Sequence, residues 1–309
     1  MHQATVGLSW IYSTALSSLM AFKLPKRQTS GSVVCFSCQK LVSIEQEECP
    51  HCGQVNPGLW GYARPIRRLG ADFGFIKIVI IGCISLYLIT LLFDLPGVRS
   101  EGVMNLLMPS SYSLLIFGST GSVPIFEWGR WWTVLSSGWL HGGLWHLGFN
   151  MAWLNYLSPM VTNGYGAGRL VSIYTFTTLS SSLLTSFVAQ YWTSLPPSFS
   201  GSNFSVGASG GVFGLLGALV IYGQRAHQRQ VLQQALTLTI ISFVLSAFVG
   251  RVDNWGHLGG FIGGYLIGLT PWFNPNKPQR LYHLGIAIGA LVVTFVSIIL
   301  SPVHALLIG

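Results

Sequence analysis

Long apolar runs alternate along the chain with short polar interruptions, and the runs have the length that matters in lipid. Crossing a hydrocarbon core about 30 Å thick takes roughly 17–25 helical residues. Stretches of that order lie near 75–95, 144–163, 169–190, 208–224, 231–249, 255–273 and 283–301, and they predict seven membrane-spanning helices. The interiors of the second to sixth contain no Asp, Glu, Lys or Arg, because Arg169, Arg225, Arg229, Arg251 and Asp253 fall in loops or at span edges. One connection breaks the rhythm. The segment at about 96–140, between the first and second spans, is far longer than the usual few residues. It is also rich in apolar and aromatic residues (MNLLM, YSLLIFG, EWGRWW), which predicts a loop lying in the outer interface and not out in water.

Composition agrees with this pattern. Half of the 309 residues are hydrophobic and only 8% are charged, too little charge to cover a water-soluble domain of that length. Of the 16 basic residues, only Arg99, Arg130 and Arg251 fall on the side away from the N-terminus. The positive-inside tendency then puts the N-terminus in the cytoplasm. Topology and lipid headgroups absorb the net charge of +8, so no nucleic-acid partner is expected. Residues 1–30 carry an apolar patch from Val6 to Phe22 with no basic segment before it and KLPKR after it. A secretory signal would have the opposite order, which leaves this leader unassigned among an interfacial helix, a disordered leader and an artefact of the start codon.

A second kind of chemistry precedes the spans. Residues 35–52 read CFSCQKLVSIEQEECPHC, placing Cys35, Cys38, Cys49 and Cys52 in two C-x2-C knuckles that suit one tetrahedral Zn²⁺. So short a segment has too little core to fold without the ion. Two incidental cysteine pairs or a redox dithiol are the alternatives. The expected organisation is a zinc ribbon over 31–57, a basic linker over 58–72 and a membrane domain over 73–303. An all-thiolate site matches a reducing cytoplasmic side. Cys83, in the first span, reads as a small packing residue.

Polar residues recur at the outer ends of the second, fourth and sixth spans: His141, His146, Asn150, Ser209 and His257. His146 and Asn150 are four apart and share a helix face. Gly210, Gly214 and Ala218 in the fourth span, and Gly256, Gly260, Gly264 and Gly268 in the sixth, recur at four-residue spacing. Such stripes let helix backbones approach closely in lipid. Ser209 and His257 each sit beside the start of a stripe, so the contact should bring hydroxyl and imidazole within reach. A serine needs a base to become a nucleophile, and a neutral histidine is the usual one. A helix beginning at Ser209 would also turn its N–H groups toward an oxyanion, with His146 and Asn150 as side-chain donors.

These elements, GASGGVFG, HGGLWHLGFN and GHLGGFIGG in that order, resemble the rhomboid family of intramembrane serine proteases over roughly 73–273 and on through the seventh span. The resemblance implies Ser209 as nucleophile and His257 as its base in a dyad. It also implies His146 with Asn150 in the oxyanion hole and His141 in support. The implied fold is an all-α polytopic membrane protein: a six-helix core plus a C-terminal seventh transmembrane helix, preceded by the cytoplasmic ribbon. The implied activity is endopeptidase cleavage of transmembrane protein substrates near the outer leaflet, at helix-weakening small residues, in the bilayer of a bacterial inner membrane and without a catalytic metal. Trp132-Thr133 stands where members often carry W-R, and Thr162 and Gly164 where a Glu and an Arg often follow the second helix. This leaves Arg130 and Glu127 as candidate anchors for the long loop. A catalytically silent rhomboid-like adaptor for transmembrane helices is the alternative, while a channel or transporter would carry buried charges in its spans. Asp253 invites assignment as a third triad member, but a loop carboxylate is expected to be solvated or paired with Arg251.

Overall fold

The computed structural model describes residues 26–102, 105–196, 200–248 and 252–308. The apolar leader patch and Arg251 lie outside them. The knuckle segment forms an antiparallel hairpin, β1 (Ser32–Val34) against β2 (Leu41–Ser43), with Val33 opposite Val42. A short helix α1 (Ala63–Arg67) leads to α2 (Phe75–Phe93), the first of seven long helices among the described residues. The long loop follows, with a second hairpin, β3 (Arg99–Glu101) and β4 (Asn105–Met108), then α3 (Ser111–Phe117) and α4 (Thr133–Ser136). The other long helices are α5 (Leu144–Tyr165), α6 (Ala167–Tyr191), α7 (Ser209–Arg225), α8 (Arg229–Phe248), α9 (Asn254–Leu269) and α10 (Leu281–Ile308). They coincide with the seven apolar runs. Helices α2, α6 and α10 are each long and apolar enough to cross a membrane by length and composition alone.

Helix α7 is buried along nearly its whole length and forms the centre of the bundle. It is also short, since 17 residues at 1.5 Å each make only about 25 Å. Its most extensive partner is α9, and the contact is backbone on backbone. A methyl group on Gly260 would collide with the Gly210 carbonyl, and one on Gly264 with the Gly214 carbonyl. The opposite face of α9 is equally bare: Gly259 and Gly263 lie against Ser180 of α6, whose hydroxyl donates to the Gly259 carbonyl at 2.9 Å. Dispersion and close packing drive association in lipid, where no hydrophobic effect separates helix from solvent. Two glycine faces therefore let α9 wedge between α6 and α7.

The long loop is held to the bundle at several points. Arg130 is 6% exposed; one guanidinium nitrogen donates to the Leu115 carbonyl at 3.1 Å and another to the Ser301 carbonyl of α10 at 3.2 Å. Around it Ser297 donates to the Trp132 carbonyl at 2.5 Å, Ser301 donates to Ser136 at 3.1 Å, and Trp132 lies 4.8 Å from the His304 ring. Of the two candidate anchors, Arg130 does the holding; Glu127 is exposed. Further along, Thr120 and Ser205 exchange backbone hydrogen bonds of 3.0 and 2.6 Å, so the loop braces the segment that enters α7.

At the other end of the bundle, Arg169 lies at a span edge as expected but is only 2% exposed. Its donors go to the carbonyls of Asn274, Lys277 and Pro278 and to His283, which latches the α9–α10 connection onto the start of α6. The knuckle segment docks on this connection. Ser37 donates to the Gln279 carbonyl at 2.5 Å, and Arg280 donates to the carbonyls of Cys52 and Gly53 at 3.1 and 2.9 Å. Phe36, Leu59 and Ala63 pack with Leu281 and Leu284. The segment is thus seated on the membrane domain and not merely tethered to it.

Replacing Arg130 with Ala leaves two carbonyls without their charged donor, a loss of about 1.5–3 kcal/mol for each such bond. A clear fall in the Tm of the purified protein is expected. Arg130→Lys should recover little of it, because an ammonium lacks the planar fork that spans the two acceptors. An unchanged Tm in both variants would show that the loop is held elsewhere.

Candidate active site

Ser209 is the first residue of α7, so the amides of the helix's first turn have no partner within the helix. Two residues earlier Gly207 adopts φ +136°, in the region that favours glycine, and its N–H donates to the Ser137 carbonyl at 2.9 Å. A side chain there would meet the His146 ring, with Nε2 2.6 Å from the position of its first carbon. Backbone conformation and close approach both require glycine at this position.

His146 and Asn150 come to Gly207 from α5, one turn apart. His146 Nδ1 accepts from the Gly142 N–H at 3.3 Å. In a neutral imidazole that places the proton on Nε2, the atom facing Gly207. Asn150 is 6% exposed, and its Nδ2 has no hydrogen-bond partner; it lies 3.7 Å from the same point beside Gly207. Two donors on α5 therefore converge on the backbone just before Ser209. His141, fully buried, packs edge-on against His146 with ring centroids 5.2 Å apart, and so holds that ring in place.

His257 lies in the first turn of α9 and stacks on Phe213, centroids 4.1 Å apart and planes within 13°. Phe213 is four residues after Ser209, on the same face of α7, so the imidazole rests one turn from the hydroxyl. With Gly210 against Gly260 just below, the Ser209 end of α7 and the His257 end of α9 meet at the same helix contact. Among the described residues no hydrogen bond joins Ser209 Oγ to the ring; such bonds are often long before substrate binds. His257 Nδ1 is buried and has no partner.

Asp253 is partly exposed and its carboxylate is not bonded to that nitrogen; the expected pairing with Arg251 falls outside the described residues. Its carboxylate caps α9, accepting from the Gly256 N–H at 2.8 Å, and also accepts from Thr185 and Ser205, each at 2.7 Å. The sequence reading missed this role because the two hydroxyls lie 68 and 48 residues away. An Asp three residues before a glycine at a helix start was the available signal.

The four cysteines of the two knuckles form a separate centre. Their sulfurs all lie within 4.8 Å of one another, with Cys35 to Cys52 at 3.9 Å and Cys38 to Cys49 at 3.6 Å. A tetrahedron with bonds of about 2.3 Å has edges of about 3.8 Å, so the cluster could hold a metal ion. The two halves repeat one turn: Gln39 N–H donates to the Cys35 carbonyl and Gly53 N–H to the Cys49 carbonyl, both residues at positive φ. Burial pushes the Cys35 thiol up to about 12, so a thiolate at that one position needs a cation beside it.

Fold and site together define a polytopic helical membrane protein with a serine and a histidine brought together by glycine-packed helices. Residues 128–272 match the Rhomboid domain, so this stretch of the chain carries a Rhomboid domain. It is 32% identical over 178 residues to RHOMBOID-like protein 4 of Arabidopsis thaliana, covering 55% of this chain and 42% of that one. With Rhomboid protease GluP of Bacillus subtilis (strain 168) it shares 32% over 156 residues, 50% of this chain and 28% of that one. Inactive RHOMBOID-like protein 8 of Arabidopsis thaliana is 29% identical over 178 residues, 56% of this chain and 48% of that one. Each match covers less than half of the relative.

Proposed function

We propose that the chain is an intramembrane serine endopeptidase acting on the transmembrane segments of membrane proteins. The observation that carries this is the stacking of His257 on Phe213, one turn from Ser209 on α7. In the proposed reaction Ser209 Oγ attacks the substrate carbonyl carbon while His257 takes its proton. The resulting oxyanion is met by the first-turn amides of α7, by the His146 Nε2–H and by Asn150 Nδ2. His257 then gives its proton to the leaving amine, and a water deprotonated by the same ring hydrolyses the acyl-enzyme. The unmet Nδ1 favours a dyad, because a triad acid would accept from it. With the basic side in the cytoplasm, Ser209 lies toward the outer leaflet of the membrane.

A silent adaptor remains the second reading, since one matched relative is named inactive. It is disfavoured by the presence of both dyad residues at neighbouring positions. The four cysteines are proposed to bind structural zinc, which would fix the ribbon that Arg280 and Ser37 hold against the membrane domain.

Purified protein should cleave a tagged single-pass helix, and Ser209→Ala should not. Equal cleavage by both would sink the protease reading. His257→Ala should lose as much as Ser209→Ala, and the double variant no more, because groups acting as one unit are not additive.

Asn150→Ala should lower kcat by on the order of 10²–10³ with KM nearly unchanged, as loss of an oxyanion donor does. A raised KM with normal kcat would make Asn150 a recognition residue instead.

Elemental analysis should find about one zinc per chain, lost in Cys49→Ser. Chelation should free the ribbon while the Ser209 end, at the far side of the bundle, keeps its activity. A metal-free preparation with an intact ribbon would rule out the structural zinc.

A further inference from the structure

Outside the dyad and its donors, one side chain bonds to both segments that carry them. We propose that Asp253 is a positioning residue that holds the His257 helix and the Ser209 segment in register; this rests on the protease reading above. Its carboxylate, acceptor-only when ionised, has three donors from three places. The Gly256 N–H belongs to the first turn of α9, Thr185 to the buried face of α6, and Ser205 to the segment that enters α7. Thr185 in turn accepts from the Ser202 N–H at 2.9 Å, tying the same segment a second time.

The consequences follow from chain distance. His257 is one turn beyond Asp253, and its N–H donates to the Asp253 carbonyl at 3.0 Å, so the cap fixes where the helix carrying the base begins. Ser205 is four residues before Ser209 and two before Gly207, the residue against which His146 sits. A shift of the Ser205 segment would move the nucleophile and the first-turn amides of α7 away from His146 and Asn150 on α5. Both carboxylate oxygens are occupied by these bonds, and His257 Nδ1 stays unmet, so Asp253 acts through the backbone and not on the imidazole. The requirement is three acceptor contacts and not a negative charge at the ring. An Asn retains one oxygen for Gly256 and Thr185 and can donate to a rotated Ser205 hydroxyl, whereas an Ala satisfies none of the three.

The test compares wild type, Asp253→Asn, Asp253→Ala, Ser205→Ala and the Asp253→Ala/Ser205→Ala pair. It measures cleavage of a tagged transmembrane substrate and the rate at which a fluorophosphonate labels Ser209. Misplacement of reacting groups typically costs about 10²-fold, so Asp253→Ala should lose that much in kcat and in labelling rate, with KM close to wild type. Asp253→Asn should restore activity to within about tenfold of wild type, a barrier change of roughly 1.4 kcal/mol. Ser205→Ala should lose a measurable part, and the pair should be no slower than Asp253→Ala.

Normal labelling and cleavage in Asp253→Ala would overturn the proposal, and so would a raised KM with unchanged kcat. A loss near the roughly 10⁴-fold of a triad acid in folded Asp253→Asn would overturn it in favour of a charge acting on the ring. If Asp253→Ala does not fold, Asp253→Asn and Ser205→Ala decide: full activity in Ser205→Ala overturns the proposal. A wild-type protein that neither cleaves nor labels at Ser209 would remove the protease reading and this proposal with it, a failure visible before any variant is compared.

Discussion

Backbone contact between α7 and α9 is the constraint on which the other features depend. Helix pairs in lipid gain little from hiding apolar surface, and approach distance is set by what the interface side chains allow. Here they allow contact of glycine with carbonyl at two successive turns, Gly210 with Gly260 and Gly214 with Gly264. At that separation the Ser209 end of one helix meets the His257 end of the other, and the His257 ring stacks on Phe213. A single added methyl group on the stripe would force the helices apart and separate the pair. The same contact leaves no room for a charged side chain between the helices, in keeping with the uncharged interiors of the second to sixth spans.

Around this contact the fold supplies two clamps at opposite ends. At the serine end the long loop pairs with the segment entering α7 and is itself pinned by Arg130 to α10. The seventh helix thereby braces a site to which it contributes no side chain. At the ribbon end Arg169 and Gln279 seat the α9–α10 connection on α6, and the knuckle segment closes over it through Ser37 and Arg280. Buried arginines in both clamps donate mainly to backbone carbonyls and not to carboxylates. That choice suits a membrane domain, where carbonyls left over at helix ends and turns need donors and a buried acid would be costly.

The polar cluster at the serine end combines preorganised donors with unmet groups. His146 is held by Gly142 and by the edge of His141, which turns Nε2 toward Gly207. Asn150 Nδ2 and His257 Nδ1 are buried without partners, an expense that a purely structural interface would avoid. Unmet polar groups converging on the start of a helix are the arrangement an oxyanion site requires.

Much of this was legible in the sequence, for definite physical reasons. Span length is set by bilayer thickness, so the seven helices could be read from apolar runs within a few residues. The four-residue glycine period marks a close helix contact, and the C-x2-C spacing marks a tetrahedral site; both are local patterns with one dominant geometric reading. They were sufficient to nominate Ser209, His257, His146, Asn150 and the four cysteines. What the sequence left open depends on partners distant along the chain. Arg130 could be named as an anchor, but not the helix it anchors to, since Ser301 is 171 residues away. Asp253 looked like a loop carboxylate because its two hydroxyl donors come from other elements. The ribbon read as a separate module because Arg280, which holds it, follows the sixth span. Local periodicity determines which elements form and which faces they bury; only the folded chain decides which polar groups meet, because each hydrogen bond needs a particular partner at about 3 Å.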